Sequence, residues 1–338
     1  MNNYQFKNEG LRLNLNEHPK PPQKISQLSI NLDEMSLNRY IRQEDGPLLE
    51  ELSNYAGLCK EKIVIGNGAD EIIANIIDKF CNKSILIVTP TFGVYEHYAK
   101  LKGKKVYTIS LNNDFSLPYR EIINEANQNK IDLVVICNPN NPSGTLFDKD
   151  KIIKIIKDTN SYIMIDEAYY EFSAYSIARY IDSFNNLLII RTLSKAFGLA
   201  GLRIGYCMSN ERNVENIRSC QMPFNVSNFS QFFGAEVLKN KENFIDYVNI
   251  IKRQREELSK KLSELGLKVY QSDTNFLLIK FPNNVEEIYN QLSNRKIHVR
   301  KLYQSVPSLI NTLRVSIGLK EENEELYRNI KQLIEVND

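Results

Sequence analysis

Thr192-Leu-Ser194-Lys195-Ala-Phe-Gly198-Leu-Ala-Gly201-Leu-Arg203-Ile-Gly205 follows an apolar run, Leu187 to Ile190, that has the composition of a buried strand. Two hydroxyls, an amine, three glycines and an arginine therefore gather just past the carboxyl end of a strand. Pyridoxal phosphate needs such a set. Its aldehyde condenses with an amine, and hydroxyls and a guanidinium hold its phosphate. A solvated lysine and arginine beside a glycine-rich loop would require no such combination, so the grouping, more than any one residue, favours the cofactor.

The rest of the set lies upstream. Ile163-Met-Ile-Asp166-Glu167-Ala168-Tyr169 places Asp166 at the carboxyl end of another strand-like run, where a carboxylate can pair with a protonated pyridine nitrogen. Tyr169 can give a hydrogen bond to the phenolic oxygen of the ring. Asp132-Leu-Val-Val-Ile-Cys-Asn138-Pro-Asn140-Asn141-Pro142-Ser143-Gly144 runs from a strand into a turn, and Asn141 can reach the same oxygen from the other side. Singly, Asp166 reads as a helix cap, Tyr169 as core and Asn141 as a turn former; their order around Lys195 favours the site. In Ile63-Val-Ile-Gly66-Asn-Gly68-Ala69-Asp70-Glu71 a short strand runs through glycines into a helix, so the backbone N–H groups of Ala69 and Asp70 would face a phosphate. Gly66 and Gly68 also begin a dinucleotide fingerprint, but Glu71 stands where its third glycine belongs, and that reading would leave Lys195 unexplained.

From Asn14 to Gly318 the chain resembles the fold-type I pyridoxal-phosphate aminotransferases, and among them the histidinol-phosphate aminotransferase branch. The resemblance rests on Asn14-Leu-Asn-Glu-His-Pro19, Asn38-Arg-Tyr40, Gly66 to Glu71, Pro90-Thr-Phe-Gly-Val-Tyr95, Asn138 to Gly144, Asp166 to Tyr169, Thr192 to Gly205 and Leu313-Arg314-Val-Ser-Ile-Gly318. It implies that Phe92 stacks on the pyridine ring and that Tyr40 reaches the cofactor phosphate of a neighbouring subunit, hence a homodimer with shared active sites. It also implies that Arg314 binds the anionic end of the substrate, that Arg300 joins it to embrace a phosphate, and that His18 lines the substrate pocket. Lys195 would carry the cofactor and then act as the proton-transfer base, its pKa lowered by burial and by Arg203. The default substrate is histidinol phosphate, with 2-oxoglutarate and glutamate as the second pair. Phe92 and His18 stand where many or some relatives carry tyrosine, which keeps a three-carbon phosphate substrate of the serinol phosphate type open. A phospho-amino-acid decarboxylase on the same scaffold, or a non-catalytic regulator, are the other readings; a regulator would add a basic DNA-binding domain, for which Met1 to Ser36 is too short.

Composition fits a soluble cytoplasmic enzyme. The 43 basic and 41 acidic side chains nearly cancel to +2, which leaves no nucleic-acid footprint. No apolar stretch reaches bilayer length, and the N-terminus has no signal-peptide pattern. Five cysteines are scattered singly and three histidines are dispersed, so neither disulfides nor a metal site is expected. Strand-like runs near Ser84–Thr89, Lys105–Ile109, Asp132–Cys137, Tyr162–Ile165, Leu187–Arg191 and Ile204–Met208, separated by helix-like segments, predict an α/β fold whose mainly parallel sheet carries helices on both faces. From Gln231 the texture changes. A long helix over Glu236 to Leu265, strands at Lys268–Gln271, Asn275–Lys280 and Leu313–Ile317, and helices at Val285–Asn294 and from Glu321 predict a smaller α+β domain. The expected division is a cofactor domain over 37–234 and a small domain built from 1–36 and 235–338, the N-terminal segment packing on the C-terminal lobe as the resemblance implies.

Overall fold

In a computed structural model, the chain is described over residues 9–20, 28, 35–282, 285–302 and 306–335. In chain order the elements are β1 (Leu11–Leu13), α1 (Pro47–Ala56), β2 (Ile63–Asn67), α2 (Gly68–Phe80), β3 (Ser84–Thr89), α3 (Val94–Leu101), β4 (Lys105–Ser110), α4 (Tyr119–Gln128), β5 (Leu133–Cys137), α5 (Lys149–Asp158), β6 (Tyr162–Asp166), α6 (Tyr170–Ser173), β7 (Leu187–Thr192) and β8 (Ile204–Met208). There follow α7 (Glu211–Arg218), α8 (Asn228–Lys239), α9 (Glu242–Glu264), β9 (Lys268–Val269), β10 (Phe276–Lys280), α10 (Val285–Asn294), β11 (Ile297–Lys301), β12 (Thr312–Ser316) and α11 (Lys320–Glu335).

A seven-stranded sheet has the order β2-β8-β7-β6-β5-β3-β4. All its strands run parallel except β8, which is antiparallel to both β2 and β7. The inner strands are continuous apolar runs because both faces are covered. Alternate residues enter different cores: Ile163, Ile165, Leu187 and Ile189 on one face, Met164, Leu188 and Ile190 on the other. After β3 the chain moves outward to β4, and from β5 it moves the opposite way to β6 and β7. That reversal opens a crevice at the carboxyl ends of β3 and β5, the place where open α/β sheets bind ligands.

The second sheet, β1-β11-β12-β10-β9, is antiparallel except for the parallel pair β1 and β11, so a strand from the N-terminus completes a sheet otherwise built from the last third of the chain. Residues 21–27 and 29–34 of the expected N-terminal packing segment lie outside the described residues. The single helix expected over Glu236–Leu265 is instead two, α8 and α9. The break is at Asn240: its N–H reaches the Val237 carbonyl, its side chain donates to the Glu236 carbonyl at 2.9 Å, and Lys241 N–H bonds Leu238. These tightened bonds close α8 before α9 begins. Among the described residues no helix is long and apolar enough to cross a membrane.

Candidate active site

Side chains at the carboxyl ends of the parallel strands converge on the crevice. Asp166 ends β6 and is 4% exposed. Tyr95 Oη donates to its Oδ2 at 2.5 Å, and the Ala168 N–H donates to Oδ1 at 2.9 Å. No ion pair reaches Asp166 among the described residues, and burial pushes its carboxyl up to about 6 despite these two donors. A buried carboxylate with only neutral donors suits a cationic partner such as a pyridinium nitrogen. Phe92 stands edge-on to Tyr95, ring centroids 5.7 Å apart, and so shields the tyrosine that holds Asp166.

Lys195 follows β7, and its Nζ donates to the carbonyl oxygens of Leu15 and Asn16, each at 3.3 Å. Burial first, then the charge of Arg314, lowers its pKa to about 8; Arg203, named with burial from the sequence, lowers it too but by less. The reason is position. Arg314 is buried on β12, whereas Arg203 is exposed and its Nη2 pairs with Asp70 Oδ2 at 2.7 Å. Thr192 Oγ1 lies 2.9 Å from both Ser194 Oγ and the Ile204 carbonyl oxygen and accepts from the Ser194 N–H, so it braces the turn that carries Lys195.

A cradle for an anion lies opposite. Helix α2 starts at Gly68 with φ +79°, and its N-cap Asn67 makes no side-chain cap, in contrast to α5, α7 and α8, whose first-turn N–H groups Asp148, Asn210 and Ser227 occupy. The N–H groups of Ala69 and Asp70 belong to this uncapped first turn. Gly205 lies against it so closely that a Cβ would meet the Ala69 nitrogen at 2.3 Å. Glu71 turns back to the Asn67 N–H and accepts from Asn225 Nδ2 at 2.8 Å, which gives the would-be third glycine a different structural task. An uncapped helix N-terminus, Ser194, Arg203, an amine and an unpaired buried carboxyl together fit pyridoxal phosphate.

Tyr169 is buried, edge-on to Phe276, and its hydroxyl accepts from Asn16 Nδ2 at 3.0 Å. Asn141 Oδ1 accepts from Arg314 Nη1 at 2.6 Å, and Arg314 Nη2 donates to the Asn14 carbonyl at 2.7 Å. Arg300 sits directly across from Arg314 in the β11–β12 register, so both side chains rise from one face of the sheet. His18 packs against Tyr247 with ring centroids 4.2 Å apart, and burial lowers its pKa. Tyr40 stands away from these groups in the single chain: it is 83% exposed and stacks on Phe224 at 4.8 Å.

Two residues escaped the sequence reading. Tyr95 and Asn16 both lie in quoted segments, but their partners, Asp166 and Tyr169, are 71 and 153 residues away. Asn16 is 1% exposed with φ +54°; its N–H donates to Ser316 Oγ and its carbonyl accepts from Asn275 Nδ2. It ties the N-terminal segment across the site to the second sheet. Among the described residues no cluster of potential ligands could hold a metal ion, and all five cysteines are free.

Residues 8–330 match the family model described as aminotransferase class I and II. A histidinol-phosphate aminotransferase from Caldanaerobacter subterraneus subsp. tengcongensis is 34% identical over 98% of this chain and 96% of its own. Another, from Ruminiclostridium cellulolyticum, is 37% identical over 94% and 92%. The crystal structure of the histidinol-phosphate aminotransferase from Clostridium acetobutylicum superposes with a TM-score of 0.87 at 30% identity, covering 96% of this chain and 98% of that one. The chain therefore belongs to the class I and II aminotransferases, a pyridoxal-phosphate-dependent enzyme family.

Proposed function

We propose that this enzyme transaminates histidinol phosphate, with glutamate and 2-oxoglutarate as the second pair. The observation that carries the substrate class is the register that sets Arg300 directly opposite Arg314, whose charge is felt by Lys195. One guanidinium suits a carboxylate; two on one face suit a phosphate dianion. The relatives at 34–37% identity bear the name of that substrate.

Pyridoxal phosphate supplies an aldehyde for an amine and a pyridinium ring that takes up electron density from the substrate carbon. Lys195 contributes the amine. With a pKa of about 8, roughly a tenth of its free form is neutral at pH 7 and able to accept a proton from that carbon. Asp166, steadied by Tyr95 and Ala168, would balance the charge of the ring nitrogen. Tyr169 and Asn141 would give hydrogen bonds to the phenolic oxygen, and Phe92 would stack on the ring. Ala69, Asp70, Ser194 and Arg203 would hold the phosphate, with Thr192 bracing the turn that carries Ser194 and Lys195. His18 lines the substrate pocket.

The same reading makes residues 37–234 the cofactor domain and 1–36 with 235–338 the small domain. It places the enzyme in the cytoplasm, where single thiols persist, as a homodimer in which Tyr40 completes the partner's phosphate site. The deciding test compares kcat/KM for histidinol phosphate, a three-carbon phosphate amine and glutamate in wild type and Arg300→Ala. The phosphorylated substrate should lose roughly tenfold or more, as expected for one charge-assisted hydrogen bond, and glutamate much less. Equal losses on all three would overturn the phosphate pocket. If glutamate fails to bleach the visible band of the purified yellow protein, transamination itself is wrong.

A further inference from the structure

We infer that the buried ion pair Arg191–Glu167 is a positioning clamp that sets the spacing between Asp166 and the Thr192–Lys195 turn. Glu167 directly follows Asp166, and Arg191 directly precedes Thr192. Side chains alternate along a strand. Asp166 shares its face with Met164, and Thr192 shares the same face with Leu188 and Ile190; Glu167 and Arg191 point to the other face with Ile165 and Ile189. Each residue of the clamp is thus one covalent step behind a residue of the site, on the far side of the sheet.

The clamp is rigid by construction. Arg191 Nη2 and Nε both lie 2.9 Å from Glu167 Oε2, with Arg191 4% and Glu167 1% exposed. Ser176 Oγ bridges the pair, 2.6 Å from Arg191 Nη2 and 2.7 Å from Glu167 Oε2. The Ile177 N–H donates to Glu167 Oε1 at 3.0 Å, and the guanidinium lies 3.6 Å from the centre of the Tyr170 ring. A second carboxyl, Glu171, accepts from Tyr55 Oη at 3.1 Å and is pushed up to about 7 by burial, which limits the negative charge Arg191 must balance. The backbone adds its own link, Glu167 N–H to the Ile190 carbonyl at 2.8 Å. Core stability alone does not call for this arrangement, since a buried pair is on average no better than apolar residues of the same volume. A fixed fork between two strand ends does set a distance, and reacting groups displaced by about 1 Å lose on the order of a hundredfold in rate.

The inference rests on the pyridoxal-phosphate reading of the site, and its test separates the two. Three proteins are compared: wild type, Arg191→Lys, which keeps the charge and loses the fork, and the double variant Arg191→Met/Glu167→Met, which removes both charges at similar volume. Each is measured for Tm, for reconstitution with pyridoxal phosphate, for the pH midpoint of the visible band of the bound cofactor, and for kcat and KM with glutamate. The clamp predicts that both variants bind the cofactor about tenfold more weakly, shift the band's midpoint and lose about tenfold or more in kcat, with KM little changed. It further predicts that the double variant keeps these losses even where its Tm matches wild type. Recovery of kcat and of the spectral midpoint along with Tm would overturn the clamp and leave a merely structural pair. A wild-type protein that forms no visible band with pyridoxal phosphate would overturn both readings.

Discussion

The electrostatics of Asp166 and Lys195 yield predictions on the protein without its cofactor. Asp166 has an ordinary pKa of 3.8 and about 6 when folded. As pH rises between these values the unfolded chain gives up its proton first, so the cofactor-free protein loses stability across that window. Asp166→Asn removes the effect. It should raise the Tm of cofactor-free protein at pH 8 by roughly 2–4 °C, change it little at pH 3, and still cost the holoenzyme most of its activity. Equal Tm values at pH 8 would mean that the carboxylate already has a cationic partner. For Lys195 the sign is opposite. Its folded pKa of about 8 lies below 10.5, so this group adds stability as pH rises between the two. Acylation of Lys195 in cofactor-free protein should have its midpoint near 8, and Arg314→Gln should move it upward; an unmoved midpoint would remove Arg314 as a cause. Both residues were legible because a charge at the end of an apolar strand is conspicuous in sequence. Their partners were not. Tyr95 reads as an ordinary helix aromatic and Asn16 as a turn residue until the fold brings Asp166 and Tyr169 beside them.

Between elements, the tightest contact at the site is the one between β8 and the start of α2. Gly205→Ala would set a methyl against the Ala69 nitrogen, a backbone atom that can yield only if α2 shifts. The expected result is a loss of about 1–3 kcal/mol in stability and a reconstitution affinity for pyridoxal phosphate lower by tenfold or more, because the uncapped N–H groups of α2 move with the helix. Gly201, four residues earlier, has open space around it, so Gly201→Ala should leave Tm unchanged. Similar cofactor affinity in Gly205→Ala and wild type would detach the α2 terminus from phosphate binding. The same scale explains which elements the sequence disclosed. The strands β3, β5, β6, β7 and β8 are buried on both faces and read as unbroken apolar runs. Strand β1, with three residues, and β11, with Arg300 and Lys301 among its five, lie at or next to an edge and carry no such signal. The α8–α9 break was hidden because Asn240 interrupts a helical pattern without the glycine or proline that usually marks a stop.

The whole molecule presents one surface that the single chain leaves open. Leu37, Tyr40, Met222, Phe224 and Phe229 are 65%, 83%, 74%, 44% and 42% exposed. Tyr40 stacks on Phe224, and Asn228 Nδ2 bonds the carbonyls of Met35, Ser36 and Arg39, which fastens the segment bearing Leu37 and Tyr40 to the start of α8. Large apolar groups gathered this way are expected to be covered by another protein surface. In the proposed dimer a second copy of the chain would cover this surface and give the 83% exposed Tyr40 a task. The proposed dimer therefore predicts sedimentation as a dimer at micromolar concentration. Met222→Glu would place a charge in that surface, where Met222 is 74% exposed, and should drive the protein toward monomer. If Tyr40 completes the partner's phosphate site, dissociation and loss of cofactor should follow one concentration curve. Tyr40→Phe should leave the dimer intact and weaken only the cofactor, by about the 0.5–1.5 kcal/mol of one hydrogen bond. A Met222→Glu monomer that keeps pyridoxal phosphate and full activity would confine the active site to one chain and return Tyr40 to the role of a surface aromatic.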